Sequence, residues 1–169
     1  MTMNPPPKLR VMVDANILVA GSGWPRFAYA ILQHAYQEDF DLVLTPRIIV
    51  EARKAAQAVI PKRTHSLDRC LQEVHYEPVD TPTDEDIQEH SALIRDFKDV
   101  HVALAAMNAA VDFLITQDRD LTEQYEANQP LHEKVKVILP AAFLCQQMGW
   151  TSEAVEAIRH RTWQDLNKE

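Results

Sequence analysis

Short apolar runs alternating with segments of helical period constrain this chain more than any other feature of its sequence. Residues 9–13 read as a strand buried on both faces, 42–45, 112–116 and 135–139 as further strands, and 74–79 as another short one. Between the first two, Phe27, Ile31, Leu32, Ala35 and Tyr36 recur at helical spacing. From Pro46 the set Ile48, Ala52, Ala55, Ala56 and Val59 keeps the same period up to Pro61. A helix that carries the chain from one buried strand to the next makes those strands parallel. The expectation is therefore an α/β fold, a central and mostly parallel sheet with helices on both faces.

The rest of the chain fits this frame. Asp14-Ala15-Asn16 stops the first strand as a turn, and 83–110 predicts two helices with a break near 96–98. A helix over 140–148 starts at Pro140 and ends at Gly149. Residues 151–169 predict one more amphipathic helix, carrying Val155, Ile158 and Leu166. The organisation expected is a flexible tail over 1–8, one domain over 9–150, and a helical extension over 151–169 that packs on it. With 169 residues, 46% of them hydrophobic, the chain has material for a single core.

Composition removes several classes of function. Only three glycines occur, at 21, 23 and 149, so the glycine-rich loops that cradle dinucleotides and nucleoside triphosphates are absent, as are the GxSxG and HExxH motifs. Cys70 and Cys145 have no CxxC or paired histidines around them and read as ordinary buried thiols. A formal charge of −8 argues against a surface that is basic all over. Without an apolar window of membrane-spanning length or a signal-like start, the expected location is the cytoplasm, with no membrane partner.

Four acidic residues stand where an open α/β sheet binds its ligands, outside the carboxyl ends of the strands. Asp14 follows the first strand, Glu51 lies in the helix after the second, Asp99 opens an alanine-rich helix, and Asp118 follows the strand ending at Thr116. Each has a local alternative: a turn for Asp14 and Asp118, a helix cap for Asp99. Glu51, however, falls beside the apolar stripe of its helix, and Asp99 is centred on the stripe made by Ala103, Ala106 and Ala110. Two such charges about 6 Å apart repel by roughly 3 kcal/mol at an effective dielectric near 20. A hard divalent cation, Mg²⁺ or Mn²⁺, would offset that and supply hydrolytic chemistry. Asn16 and Thr116 add polar groups that can orient carboxylates or water, with a helix cap and a strand-end hydroxyl as their alternatives. His101 reads as structural.

The motifs in order, Val11 to Gly21 around Asp14, Pro46 with Glu51, Asp99-x-x-x-Ala103 with Ala105-Ala106, and Leu114 to Leu121 around Asp118, resemble the PIN-domain family over roughly residues 9–148. The likeness is to the VapC-like group, described as toxins of type II toxin–antitoxin systems. That resemblance implies a PIN fold over 9–150 and a Mg²⁺- or Mn²⁺-dependent endoribonuclease. It implies Asp14, Asp99 and Asp118 as metal ligands, Glu51 as a fourth catalytic acid, and Asp120 as a second candidate beside Asp118. It also implies a homodimer and a small antitoxin protein as partner.

For the RNA substrate, residues 47–69 hold Arg47, Arg53, Lys54, Lys62, Arg63 and Arg69 against Glu51 and Asp68, a local basic stretch in an acidic chain. A solvated helix face is the alternative for that run. Trp24, Tyr29 and His65 offer rings for base stacking, with packing as their alternative. Two other functions compete. A haloacid-dehalogenase-type phosphatase would need a second aspartate where Asn16 stands, and a non-catalytic PIN-like interaction module would not need an intact acidic set.

Overall fold

The computed structural model describes residues 7–167. Apart from Pro7 and Lys8, the tail expected over 1–8 lies outside the described residues. Five strands, β1 (Arg10–Val13), β2 (Asp41–Leu44), β3 (Tyr76–Pro78), β4 (Phe113–Ile115) and β5 (Lys136–Ile138), form one sheet in the order β3-β2-β1-β4-β5. Every pairing is parallel, so the sheet is wholly rather than mostly parallel. The central strands are short and continuously apolar because both faces are covered. Val11, Met12, Val13, Val43, Leu44, Leu114 and Ile115 are fully buried.

Eleven α-helices are described: α1 (Ala15–Gly23), α2 (Phe27–Tyr36), α3 (Pro46–Val59), α4 (Thr64–Glu73), α5 (Asp84–Glu89), α6 (Val100–Asn108), α7 (Arg119–Thr122), α8 (Gln129–Lys134), α9 (Pro140–Gln147), α10 (Ser152–Ile158) and α11 (Trp163–Leu166). Helix α3 starts as its sequence directs, with Pro46 in the first turn and the Thr45 hydroxyl accepting the Ile48 N–H at 3.1 Å. Beneath the sheet, Phe143 of α9 meets Phe40 and Phe113 edge-on at 5.6 and 5.4 Å between ring centres.

Three expectations need correction. The segment after β1 is helix α1, not a turn alone. Its Ile17, Leu18, Val19, Gly21, Ser22 and Gly23 are all buried, so it lacks the polar face that makes a helical period visible. Helix α4 went unpredicted because only Leu67 and Leu71 mark its buried side. The C-terminal segment is two helices rather than one, broken at 159–162, where Thr162 caps α11 through Asp165. Residues 168–169 of the expected helix lie outside the described residues.

The final segment is anchored to the α1–α2 turn by its side chains. Arg161 Nε donates to Pro25 O at 2.7 Å, and the Trp163 indole N–H to Gly23 O at 2.9 Å. Tyr29 meets Trp163 edge-on, so it is a packing residue here. Gly149 ends α9 at φ +76°, a conformation that suits glycine. Gly21 is required by close approach instead, since a Cβ there would lie 2.4 Å from Leu32 Cδ1 and 3.1 Å from the Ala28 backbone. Gly21→Ala is expected to cost about 1–3 kcal/mol through forced repacking of α1 on α2, read as a lower urea midpoint.

Candidate active site

The order of strands places β1 between β2 and β4, so successive connections diverge to either side of it. In open parallel sheets, ligands bind at such a point, here outside the carboxyl ends of β1 and β4. Asp14 sits there because its N–H continues the ladder, donating to Ile115 O at 3.0 Å, and because its carboxylate caps α1 through the Ala15 N–H at 2.7 Å. Asp14 is 6% exposed. Its Oδ2 accepts from the Thr116 hydroxyl at 3.0 Å and from Asn16 Nδ2 at 3.2 Å. Burial raises its pKa, and the Thr116 and Ala15 hydrogen bonds partly offset that rise.

Thr116 is the hinge of the arrangement. Its oxygen also accepts the Asp118 N–H at 3.0 Å and Asn16 Nδ2 at 3.3 Å, so one hydroxyl sets the positions of Asp14 and Asp118 together. Asn16 supports Asp14 rather than capping a helix, since the cap of α1 is Asp14 itself. Asp118 in turn caps α7 through the Asp120 N–H at 2.9 Å.

Asp99 faces this pair from the start of α6, yet its side chain makes no cap hydrogen bond. Its Oδ2 is buried with no hydrogen-bond partner. The Asp99 pKa is pushed up to about 8, first by burial, then by the adjoining Asp118 carboxylate, with Asp14 and Asp96 adding like charge. Asp14, Asp99 and Asp118 therefore act on one another. Among the described residues, the carboxylate oxygens that all lie within 4.8 Å of one another belong to Asp96, Asp99 and Asp120, a set that includes neither Asp14 nor Asp118, and Asp96 was not among the acidic candidates of the sequence.

Glu51 has different neighbours. Arg47 Nε donates to its Oε1 at 3.2 Å, and Nε2 of His101 lies 3.0 Å from its carboxylate. Burial pushes the Glu51 pKa up, but His101 and Arg47 together hold it below the usual carboxylate range. His101, 1% exposed and two positions after Asp99, thus stands at the site rather than in the core alone. A histidine in the run Val100 to Ala106, otherwise all Val, Ala and Leu, was the available signal.

The basic candidates have different surroundings. Lys54 and Lys62 are exposed, whereas Arg53 pairs with Asp68 at 3.4 Å. Arg63 serves packing: it donates from Nε to Ser22 O at 2.8 Å and lies 3.9 Å over the Trp163 ring. Cys70 and Cys145 are half-buried rather than buried, and burial with Glu73 nearby pushes the Cys70 thiol up to about 11.

A family model described as PIN domain matches residues 10–120, from the first residue of β1 to the aspartate beyond Asp118. The chain belongs to the PIN domain family. Among solved structures, this PIN domain is similar to PAE2754 from Pyrobaculum aerophilum, at 18% identity and a TM-score of 0.55, with 84% of this chain and 97% of that one covered. It is also similar to VapBC2 from Rickettsia felis bound to a DNA fragment from its promoter, at 15% identity and a TM-score of 0.54, over 78% of this chain and 98% of that one. No curated protein matches the chain. No described helix of this PIN domain is long and apolar enough to cross a membrane.

The donor set suits the divalent metal that PIN nucleases generally use. The groups are all oxygen, as hard cations prefer, and Asp99 Oδ2 is a buried acceptor lacking any proton donor.

Proposed function

We propose that this PIN domain is a metal-dependent endoribonuclease that hydrolyses RNA phosphodiester bonds, the toxin of a type II toxin–antitoxin pair. The observation that supports the reading is the mutual action of Asp14, Asp99 and Asp118, with a buried oxygen of Asp99 that has no hydrogen-bond partner. Those three aspartates would hold a Mg²⁺ or Mn²⁺ ion. Such an ion, when bound, lowers the pKa of a coordinated water and offsets negative charge on a phosphoryl oxygen.

The chain's own residues supply the rest. Thr116 and Asn16 fix the Asp14 carboxylate, so its remaining lone pairs point in one orientation. Glu51, kept ionised by Arg47 and His101, can accept a hydrogen bond from the attacking water at Oε1 or Oε2 and so orient it. Lys54, Lys62 and Arg53, with Arg47 nearer the acids, are the groups for the RNA backbone. Arg63 is assigned a structural role.

A short antitoxin and a second copy of the chain are the proposed partners, in the cytoplasm. An acidic cleft is a good receptor for a basic side chain, and the VapBC2 structure shares the fold.

Single-stranded RNA is expected to be cleaved with Mn²⁺ or Mg²⁺ and not with EDTA. Lys54→Glu with Lys62→Glu should weaken RNA binding roughly tenfold or more, since each reversal removes a phosphate contact and adds repulsion, and should flatten the salt dependence of binding. Hydrolysis of a small phosphomonoester without RNA cleavage would select the phosphatase instead. Neither activity, with a partner still bound, would select the interaction module.

A further inference from the structure

Asp120 already has a cationic partner. Arg95 Nε lies 3.1 Å from Asp120 Oδ1, and Arg95 Nη2 donates to Glu123 Oε2 at 3.0 Å. The guanidinium carbon stands 4.4 Å over the Tyr125 ring. The Tyr125 hydroxyl closes the arrangement by donating to Asp120 O at 2.8 Å and accepting the Arg95 N–H at 2.9 Å. Arg95, half-exposed, is thus a cation held beside Asp120 by Glu123 and Tyr125. Asp99 belongs with both sets: Asp118 and Asp14 act on its carboxylate, and one of its oxygens lies within 4.8 Å of oxygens of Asp96 and Asp120.

We propose that Arg95 is a built-in counter-cation that withholds Asp120 from metal ligation. The acidic row then accepts one divalent ion, on Asp14, Asp99 and Asp118, and no second ion on Asp96, Asp99 and Asp120. The charge argument is direct. A divalent ion on Asp96, Asp99 and Asp120 would sit beside a guanidinium already bound to one of those carboxylates, so it must displace that group or be repelled by it. Arginine suits the role because it stays protonated at any working pH and its planar fork reaches two carboxylates at once. Arg95 acts here as a positioning residue, through Asp120.

This inference rests on the metal-nuclease reading, and Mn²⁺ titration of the full chain, followed calorimetrically and by the electron spin resonance of free Mn²⁺, separates the two. Wild type is expected to bind one Mn²⁺ per chain. Arg95→Met, which keeps the stem over Tyr125 but removes the charge, should bind two. Arg95→Lys should stay at one, and Arg95→Met with Asp120→Asn should return to one. Metal dependence of cleavage should saturate as a single site in wild type and in two phases in Arg95→Met. Two ions in wild type, or one in a folded Arg95→Met, overturns the proposal and leaves the nuclease reading standing. No Mn²⁺ bound by wild type overturns both. Should Arg95→Met fail to fold, the Arg95→Lys protein decides, since a second ion there shows that a positive side chain at 95 does not exclude it.

Discussion

Asp14→Asn is expected to lower RNA cleavage by roughly 10²- to 10³-fold, the largest effect of any single change in this protein. Losing a metal ligand removes several kcal/mol of transition-state stabilisation, and each 1.36 kcal/mol is about a factor of ten. The geometry says that the fold survives. Asn can still accept the Ala15 N–H that caps α1, so the helix start is kept. What changes is the other oxygen, where an amide N–H would meet the Thr116 hydroxyl and Asn16 Nδ2, two groups that now donate to it. Thr116 can rotate to accept, whereas Asn16 Nδ2 loses this acceptor and keeps only its 3.3 Å contact to the Thr116 hydroxyl, a stability cost of about 1 kcal/mol. Initial rates with Mn²⁺, alongside a urea melt, separate the two effects. Asp118→Asn should resemble Asp14→Asn, while Asp120→Asn, whose carboxylate faces Arg95, should cost less. A greater loss in Asp120→Asn would move the last acidic position of the site to 120.

The second large effect joins stability to pH and metal. Asp99 titrates near 3.8 as an ordinary carboxyl and near 8 in the fold. Between those values the folded protein holds a proton that the unfolded chain has lost, so metal-free stability should fall as pH rises from about 4 to 8 and level off above it. Asp14, whose pKa is also raised, adds a change of the same sign. Asp99→Asn removes the titrating group and gives Asp118 an amide donor. Its metal-free melting temperature at pH 8–9 should therefore exceed that of wild type, and its slope over pH 5–8 should be shallower. Mn²⁺ does the opposite experiment on wild type. At about one hundred times its Kd it should add roughly 2.7 kcal/mol and several degrees, more at pH 8 than at pH 6, because at the lower pH it must first displace the Asp99 proton. In Asp99→Asn that metal-induced shift should shrink. Thermal melts across pH, with EDTA and with Mn²⁺, check all of this. A wild-type melting temperature that neither falls with pH nor responds to Mn²⁺ would mean that the three aspartates behave as independent caps and turns.

Strands β1, β2, β4 and β5 were legible because each lies in a short, largely apolar run, while β3 is marked only by Val74 and Val79 on either side of Tyr76-Glu77-Pro78, and the parallel arrangement followed from the helical segments between them. Asp14, Asp99 and Asp118 were legible for a related reason: all three lie where a buried element begins or ends, so a short window shows both the carboxylate and the apolar pattern it interrupts. Helix α1 was not, since a helix buried all round has no polar face to reveal its period. The partners of Glu51 were not either. Arg47 is one turn away, but His101 is 50 positions along the chain and meets Glu51 only because α3 and α6 both end up at the site.

Sequence alone therefore determined which segments are strands and that the sheet is essentially parallel, and it marked acidic residues at strand and helix ends as candidates. Those properties depend on contacts within a few residues and on the rule that buried parallel strands need crossover helices. Tertiary structure decided which acids face which neighbours: Asp14, Asp99 and Asp118 toward one another, Glu51 toward His101 and Arg47, Asp120 toward Arg95. Those pairings span up to about a hundred residues, from Asp14 to Thr116, and are set by strand order and by the burial that raises Asp99 while its neighbours hold Glu51 down. No local window contains the strand order, and without it the same carboxylates read equally well as caps and turns.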